Sequence, residues 1–262
     1  MSQLGEMVNA VANLDDYKCP FPHRPMKHDK ENVLPPPEDK NNASKLSDSL
    51  DDESKHIENI DIEFTCRGRD YDLEAQFTAH HLIPGNESWP PSKTQLYKWV
   101  DKRENWIKGD IGYDVNSSRN GVDLPGHTAA PSWSDQKFQN EYAFACMTSD
   151  RKDRQFHDRH AAYSDFVVNV LNKIATKLER FRKDDGCGNE DCGGSGKKKY
   201  DPPYGLLARL NDVAQRLERR LTGTCKKWEK PVMTSRFALM YKSRWLTQAD
   251  ARRELQKKRF KY

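Results

Sequence analysis

Apolar residues along the chain follow two periods, and the shorter period comes first. Residues 60–64 alternate between apolar and acidic side chains, as expected for a strand with one buried face. A second β-prone run, 74–78, follows, and apolar residues three and four positions apart then dominate, which is typical of amphipathic helices. The helical stretches are 95–108, the second half of 132–147, 157–181 and 206–223. The pattern predicts an α+β fold that is mainly helical.

A turn signal separates two short apolar groups in the middle of the chain. Asn120 and Gly121 lie between Val115 and Val122, and the Asn-Gly pair favours the tight turn of a β-hairpin. We therefore expect a small hairpin here, with Asn120 on it or at its bend.

The two ends of the chain differ in composition from the middle. Residues 1–56 contain proline-rich runs at 19–25 and 35–37, which disfavour regular structure and predict an extended N-terminal arm or docking segment, a disordered tail being the alternative. Residues 57–182 hold the strands and the first helices and are predicted to form the core. Residues 183–262 start with a glycine-rich segment containing lysines and are predicted to be a basic helical extension packed on that core.

Charge is distributed unevenly along the 262 residues. The net charge is +4, but residues 1–173 have 21 basic and 29 acidic side chains, and residues 174–262 have 23 and 11. A basic C-terminal part suits a polyanionic substrate such as nucleic acid, and an ordinary solvated basic helical face is the alternative. Phe237, Tyr241 and Trp245 lie among arginines and lysines there, which fits either stacking on bases or packing onto the core.

Hydropathy limits where the chain can reside. The mean hydropathy is −1.01 and 32% of the residues are charged, so part of the chain is expected to be extended. No apolar run approaches the roughly 20 residues of a membrane helix, and the first residues lack the basic and apolar regions of a signal peptide. We expect that the protein is made in the cytoplasm and does not associate with a membrane. Any export would use a route without a cleaved leader.

Two adjacent histidines, His80 and His81, follow the second β-prone run. Because neighbouring side chains on a strand point to opposite faces, one ring can face a metal ion while the other faces the substrate as a general base. Taken alone, the pair is also compatible with two surface histidines near a turn.

His157 and His160 lie at the start of the helical pattern of 157–181. Residues three apart share a helix face, so both rings can reach one ion. With a histidine of the doublet they form a three-histidine ligand set suited to a borderline metal. Two solvated histidines on a polar first turn are the alternative.

Three stretches, taken in order, resemble the AHH family of the HNH/endonuclease VII superfamily, the ββα-metal nucleases found as toxin domains in bacteria. The stretches are Ala79-His80-His81-Leu82-Ile83-Pro84, then Asp114-Val115-Asn116 with Asn120-Gly121-Val122-Asp123-Leu124-Pro125, then His160-Ala161-Ala162-Tyr163. The resemblance covers about residues 74–178. It implies a β-hairpin crossed by a helix, with one divalent ion between them.

The resemblance also implies roles for individual residues. His80 would be a metal ligand and His81 the general base, while Asn120 or Asn116 would orient that base. The ion would be Mg²⁺ in use, although an imidazole-rich set also accepts Zn²⁺, Ni²⁺ or Mn²⁺.

The remaining ligands are expected from the third stretch. The resemblance implies that His160, with His157, completes the metal site, and His127 in a Gly-His-Thr sequence is a rival for that place.

The biology implied by the resemblance is that of an interbacterial toxin. It implies a DNase effector, exported by a type VI or similar secretion system into a target cell, and a cognate immunity protein in the producer. The N-terminal arm is the expected docking segment for a secretion carrier or chaperone. An RNase and a catalytically inactive nucleic-acid-binding module are the alternatives.

Six cysteines complete the candidate chemistry. Cys187 and Cys192, with Cys225, could bind structural zinc or form a disulfide, but free thiols are favoured for a chain made in a reducing compartment. We expect none of them in the catalytic site.

Overall fold

The computed structural model describes residues 42–100, 106–128, 131–149, 153–183, 200, 202–203 and 205–259. Within these ranges the chain forms four strands and six α-helices, numbered here in chain order. The strands are β1 (Ile60–Cys66), β2 (Arg69–Ala75), β3 (Phe77–His81) and β4 (Gly121–Pro125). The helices are α1 (Ala43–Asp52), α2 (Gly85–Ser88), α3 (Gln136–Ser149), α4 (Ala161–Lys183), α5 (Leu206–Leu221) and α6 (Arg236–Arg259). The predicted α+β, mainly helical fold class is confirmed.

β1 and β2 form an antiparallel hairpin, which confirms the strand predicted at 60–64. Cys66 pairs with Arg69, and the two residues between them, Arg67 and Gly68, have φ values of 54° and 76°. Positive φ at both central positions is the signature of the type I′ turn that suits two-residue hairpins. The buried side of β1 packs against α3, so the hairpin belongs to a core cluster shared with that helix.

β3 and β4 form the second antiparallel pair, and this pair holds the histidine doublet. His80 lies opposite Val122 and His81 lies opposite Gly121. The two strands are far apart in sequence, so the pairing depends on long-range contacts. The antiparallel strands, followed by α4, give the arrangement expected of a ββα fold.

The prediction of an Asn-Gly hairpin between Val115 and Val122 is wrong. Asn120 is the last residue of a 3₁₀ turn (Ser118–Asn120), and Gly121 begins β4 with φ −118° and ψ 150°, an extended conformation. The glycine is therefore not in the left-handed conformation that an Asn-Gly hairpin turn needs. β4 pairs with β3 instead, in an antiparallel register that runs from Phe77 opposite Pro125 to His81 opposite Gly121.

α1 lies in the segment predicted as an extended arm, and the structure differs there. Asn42 caps the helix by accepting a backbone hydrogen bond of 3.0 Å from the first turn. Leu46 and Leu50, four residues apart, are fully buried, and the helix contacts both β3 and β4. A Cβ atom on Gly121 would lie 2.7 Å from Leu46 Cδ1, so only glycine lets the helix approach this closely. The rest of the predicted arm, residues 1–41, lies outside the described residues.

The helix predicted over 95–108 is also wrong in its described part. Only Leu96–Trp99 is helical, as a 3₁₀ turn, and Ile107 forms a β-bridge with Tyr200. The chain folds back on itself, with the Ile111 N–H donating to the Val100 carbonyl at 3.2 Å. The apolar residues of this stretch are thus buried although they lie in a loop. Their spacing matches the helical period by coincidence.

α4 and α5 form the larger core cluster beside the β3–β4 pair. The predicted helix over 206–223 is confirmed as α5. Every apolar position of the pattern after residue 160 is buried in α4, namely Phe166, Val167, Val170, Leu171, Ile174 and Leu178. The helix is joined to the histidine strand directly, because the Tyr163 hydroxyl donates to the Leu82 carbonyl at 2.6 Å.

α6 packs on the α3 cluster, which decides between the two expectations for its aromatic residues. Phe237 is buried, and Tyr241 and Trp245 are partly buried against that cluster. These rings therefore serve packing. None of the helices in the described ranges is long and apolar enough to cross a membrane.

Candidate active site

His80 is the buried centre of the candidate site. As strand geometry requires, it points to the opposite face of β3 from His81. The residue is 3% exposed, and its ring centroid lies 4.8 Å from that of His157 and 5.1 Å from that of His160. His80 Nε2 is buried without a hydrogen-bond partner among the described residues. A buried polar atom without a partner is costly unless something else occupies its lone pair.

His157 and His160 reach this point from just before a helix. α4 begins at Ala161, so the predicted shared helix face was wrong, and tertiary contacts bring the two rings together. The His157 N–H donates to the Pro125 carbonyl at 2.7 Å, which joins the loop to the end of β4. The His160 carbonyl accepts from the N–H groups of Tyr163 and Ser164 at 2.9 and 3.1 Å, which fixes the residue on the first turn.

The three histidines form a group that fits a metal ion. One ring nitrogen from each of His80, His157 and His160 lies within 4.8 Å of the other two. Three imidazoles with open positions are a common ligand set for Zn²⁺ and similar divalent ions. The partnerless Nε2 of His80 is the observation that favours an ion here over a polar core cluster. Among the described residues, no cysteine belongs to such a group.

Burial keeps the rings of His80 and His157 neutral, which is the state that binds metal. Burial lowers the pKa of His80 well below its usual value, and the neighbouring His157 and His160 lower it further. Burial, with His160 next, lowers the pKa of His157 to about 4. The ring lone pairs are therefore available at neutral pH.

His81 lies on the other face of β3 and contacts an asparagine. Its Nε2 is 2.8 Å from Asn116 Oδ1, and the residue is 7% exposed. Burial lowers the pKa of His81, while the Asn116 hydrogen bond and the charges of Asp114 and Glu87 oppose the shift. With Asn116 as acceptor, Nε2 has the proton and Nδ1 keeps the lone pair.

Asn120 is placed differently from Asn116. Its Oδ1 accepts from the Ile83 N–H at 2.8 Å, and its Nδ2 donates to the carbonyls of Ile83 and Val115 at 3.0 and 2.8 Å. The side chain is 2% exposed and holds the chain after β3 against the loop before β4. Of the two asparagines left open by the sequence, Asn116 is the one whose hydrogen bond to His81 the structure contains.

His127, the rival ligand, lies outside the group of three. Its Nε2 is 3.0 Å from Asp158 Oδ1, and its ring packs against Trp133 and Phe156. The side chain is 47% exposed. The structure thus pairs His127 with a carboxylate beside the site.

The site opens into a cleft that includes residues not found by sequence reasoning. The lining is Ala43, Ala79, His80, His81, Pro84, Glu87, His157 and His160. Glu87 comes from α2, a single turn after the proline-glycine break, where no periodic signal exists. Ala43 comes from α1, whose two leucines make too short a pattern to be recognised.

The cysteines in the described ranges are buried thiols. Cys66, Cys146 and Cys225 are free. Burial raises the pKa of the Cys146 and Cys225 thiols to about 12, so both stay protonated and unreactive. Cys187 and Cys192 lie outside the described residues.

Comparison with known proteins matches this site to one family. Residues 67–185 match the family AHH, described as a nuclease family of the HNH/ENDO VII superfamily with conserved AHH. The matched range includes the histidine doublet, both asparagines and the two histidines before α4. Comparison with curated proteins and with solved structures yields no match. Residues 67–185 are thus similar to the AHH nuclease family.

Proposed function

We propose that the protein is a metal-dependent endonuclease that hydrolyses phosphodiester bonds, with DNA as the favoured substrate. The proposal rests on one observation: a strand presents the partnerless Nε2 of His80 to two other imidazoles, and presents His81, bonded to Asn116, to the opposite face. Both histidines line the same cleft, where a one-metal nuclease would need a metal ligand and a general base.

His80, His157 and His160 would hold the ion. A divalent ion there, Mg²⁺ in use with Zn²⁺, Ni²⁺ or Mn²⁺ as substitutes, would neutralise the charge that develops on the phosphate and leaving oxygens. The three neutral rings leave the positive charge of the ion undiminished, which suits a polyanionic substrate.

His81 would act as the general base. Asn116 Oδ1 accepts from Nε2–H at 2.8 Å, so the ring is fixed in the tautomer with its lone pair on Nδ1. A neutral imidazole in the cleft can take a proton from the attacking water. Asn116 holds the orientation, and Asn120 holds the backbone around it.

Charge supports a nucleic-acid substrate. The excess of basic over acidic side chains after residue 173 contrasts with the acidic excess before it. Lysine and arginine that neutralise phosphates make binding strongly dependent on salt. The basic part would supply affinity, and the histidines would supply the chemistry.

A plasmid-nicking assay tests the proposal. We expect Mg²⁺ or Mn²⁺ to support nicking by the full chain, a chelator to stop it, and His81→Ala to lose it. A structured RNA tested beside the plasmid distinguishes a DNase from an RNase. Metal-independent nicking, or no cleavage of either substrate by the metal-loaded protein, would contradict the mechanism.

The proposed biological role, which rests on the family resemblance alone, is that of an interbacterial toxin. We propose export by a type VI or similar system, residues 1–56 as the docking segment for a carrier or chaperone, and a cognate immunity protein. An immunity protein that covers a basic substrate surface would be acidic. Expression inside a bacterial host should arrest growth with the wild-type chain and not with His81→Ala, and equal growth of both would reject the toxin role.

A further inference from the structure

A serine and a glutamate lie beside one of the three clustered histidines. Ser164 is on the first turn of α4 and is 7% exposed. Its Oγ lies 2.5 Å from Glu87 Oε2 and 3.4 Å from His160 Nδ1. Glu87 Oε2 is itself 3.9 Å from the same ring nitrogen. The three side chains form a hydrogen-bond chain from α2 to the candidate ligand.

The direction of this chain follows from counting hydrogens. A carboxylate only accepts, and a serine hydroxyl has one hydrogen to donate. The 2.5 Å contact has the length of a charge-assisted O–H···O⁻ bond, so Ser164 donates its hydrogen to Glu87. Only oxygen lone pairs then remain for His160 Nδ1.

The tautomer of His160 follows from that direction. A ring nitrogen facing an acceptor is favoured in its protonated form, so Nδ1 has the hydrogen. Nε2 of the neutral ring then keeps its lone pair, which is what a metal ligand needs. In the opposite tautomer, Nε2 would have the hydrogen and no lone pair for an ion, and Nδ1 and Ser164 Oγ would face each other with lone pairs only.

We infer that Ser164 and Glu87 are positioning residues that set the tautomer and orientation of His160 for metal binding. The inference rests on the proposed role of His160 as a ligand. Ligating histidines commonly donate their second N–H to an oxygen, and removal of that partner weakens metal affinity. A hydroxyl, Thr78 Oγ1, also lies 3.5 Å from His157 Nδ1, so both histidines before α4 have an oxygen at that nitrogen.

Calorimetric titration of Ni²⁺ into the metal-free full chain provides the first test. Ser164→Ala removes the acceptor and should weaken Ni²⁺ binding about 10- to 100-fold. Glu87→Gln preserves size but removes the charge that directs the serine hydrogen, and should have a smaller effect of the same sign. Ser164→Thr retains the hydroxyl and should restore most of the affinity.

The matched control is Ser243→Ala. Ser243 is an exposed helical serine on α6 whose hydroxyl also has a hydrogen-bond partner, the Leu239 carbonyl at 3.0 Å. Its loss should leave Ni²⁺ affinity unchanged. Circular dichroism of each variant shows whether a change in affinity comes with a loss of fold.

A tautomer measurement separates this inference from the proposed function. Long-range proton–nitrogen correlation spectra of metal-free, isotope-labelled protein distinguish the two ring tautomers, and the His160 signals are identified by their loss in His160→Asn. We expect Nδ1–H in the wild type and a mixture in Ser164→Ala. A folded Ser164→Ala variant with wild-type Ni²⁺ affinity and only the Nδ1–H tautomer would overturn the inference. A wild-type protein that binds no Ni²⁺ would overturn the proposed metal site, and the spectra would then still show whether Ser164 sets the tautomer of His160.

Discussion

Replacing Asn120 with alanine should destabilise the protein by about 3–5 kcal/mol. The side chain makes three buried hydrogen bonds of 2.8–3.0 Å to the backbone of Ile83 and Val115. Alanine would leave three buried backbone groups without these partners, and each such group costs about 1–3 kcal/mol. The sum is about 3–9 kcal/mol, and about 3–5 kcal/mol is expected because relaxation and water entry recover part of it.

Urea unfolding of the chelator-treated protein measures this loss, since bound metal would otherwise add to stability. With a urea dependence of about 2 kcal/mol per molar, the midpoint should fall by about 1.5–2.5 M.

Asn116→Ala is the informative comparison, because it removes the hydrogen bond to His81 and should cost only about 1 kcal/mol. Nicking by Asn116→Ala should nevertheless fall strongly, since the tautomer of His81 is no longer fixed. Asn169→Ala, on the exposed face of α4, is the control and should stay within about 0.5 kcal/mol of the wild type. A stable Asn120→Ala protein, or an Asn116→Ala protein that is the less stable of the two, would refute the assignment of the asparagines.

Three further predictions concern the ligands, the packing and the substrate. His80→Ala should lose metal binding in calorimetry, whereas His81→Ala should keep the metal and lose roughly 10²-fold or more in cleavage; the reverse pattern would exchange the two roles. Gly121→Ala should lower stability by about 1–3 kcal/mol in thermal melts, because its Cβ would lie 2.7 Å from Leu46 Cδ1, and unaltered melting would show that α1 shifts freely. Neutralising the lysines at 197–199, which lie outside the described residues, should weaken DNA binding and flatten its salt dependence; an unchanged slope would remove them from the substrate surface.

Local patterns were sufficient for the parts of the fold and site that depend on local geometry. The alternation of a strand placed His80 and His81 in different surroundings, and helical spacing identified α5 and the buried face of α4. The histidines before α4 were found by their residue type, although the helix that was expected to align them begins one residue after His160.

Long-range contacts decided the rest. Asn116 and Asn120 stand four residues apart in a similar context, and only the path of the loop shows which one meets His81. The Asn-Gly pair suggested a turn. In the structure, Gly121 instead leaves room for the leucines of α1, which pack directly against it. Glu87 had no sequence signal, since its contact with Ser164 joins residues that are 77 positions apart.

The placement of α1 bears on how such a nuclease can be moved between proteins. The helix ends before the family match begins at residue 67, yet Ala43 lines the cleft, and α1 packs on both β3 and β4 with its leucines buried. On the other side of the match, α5 also contacts β4. A recombination event or a designed fusion that transplanted residues 67–185 alone would therefore transfer the candidate site histidines without two of the elements packed on β3 and β4. The set of elements that packs on the histidine strand in this chain is wider than the segment that matches the family.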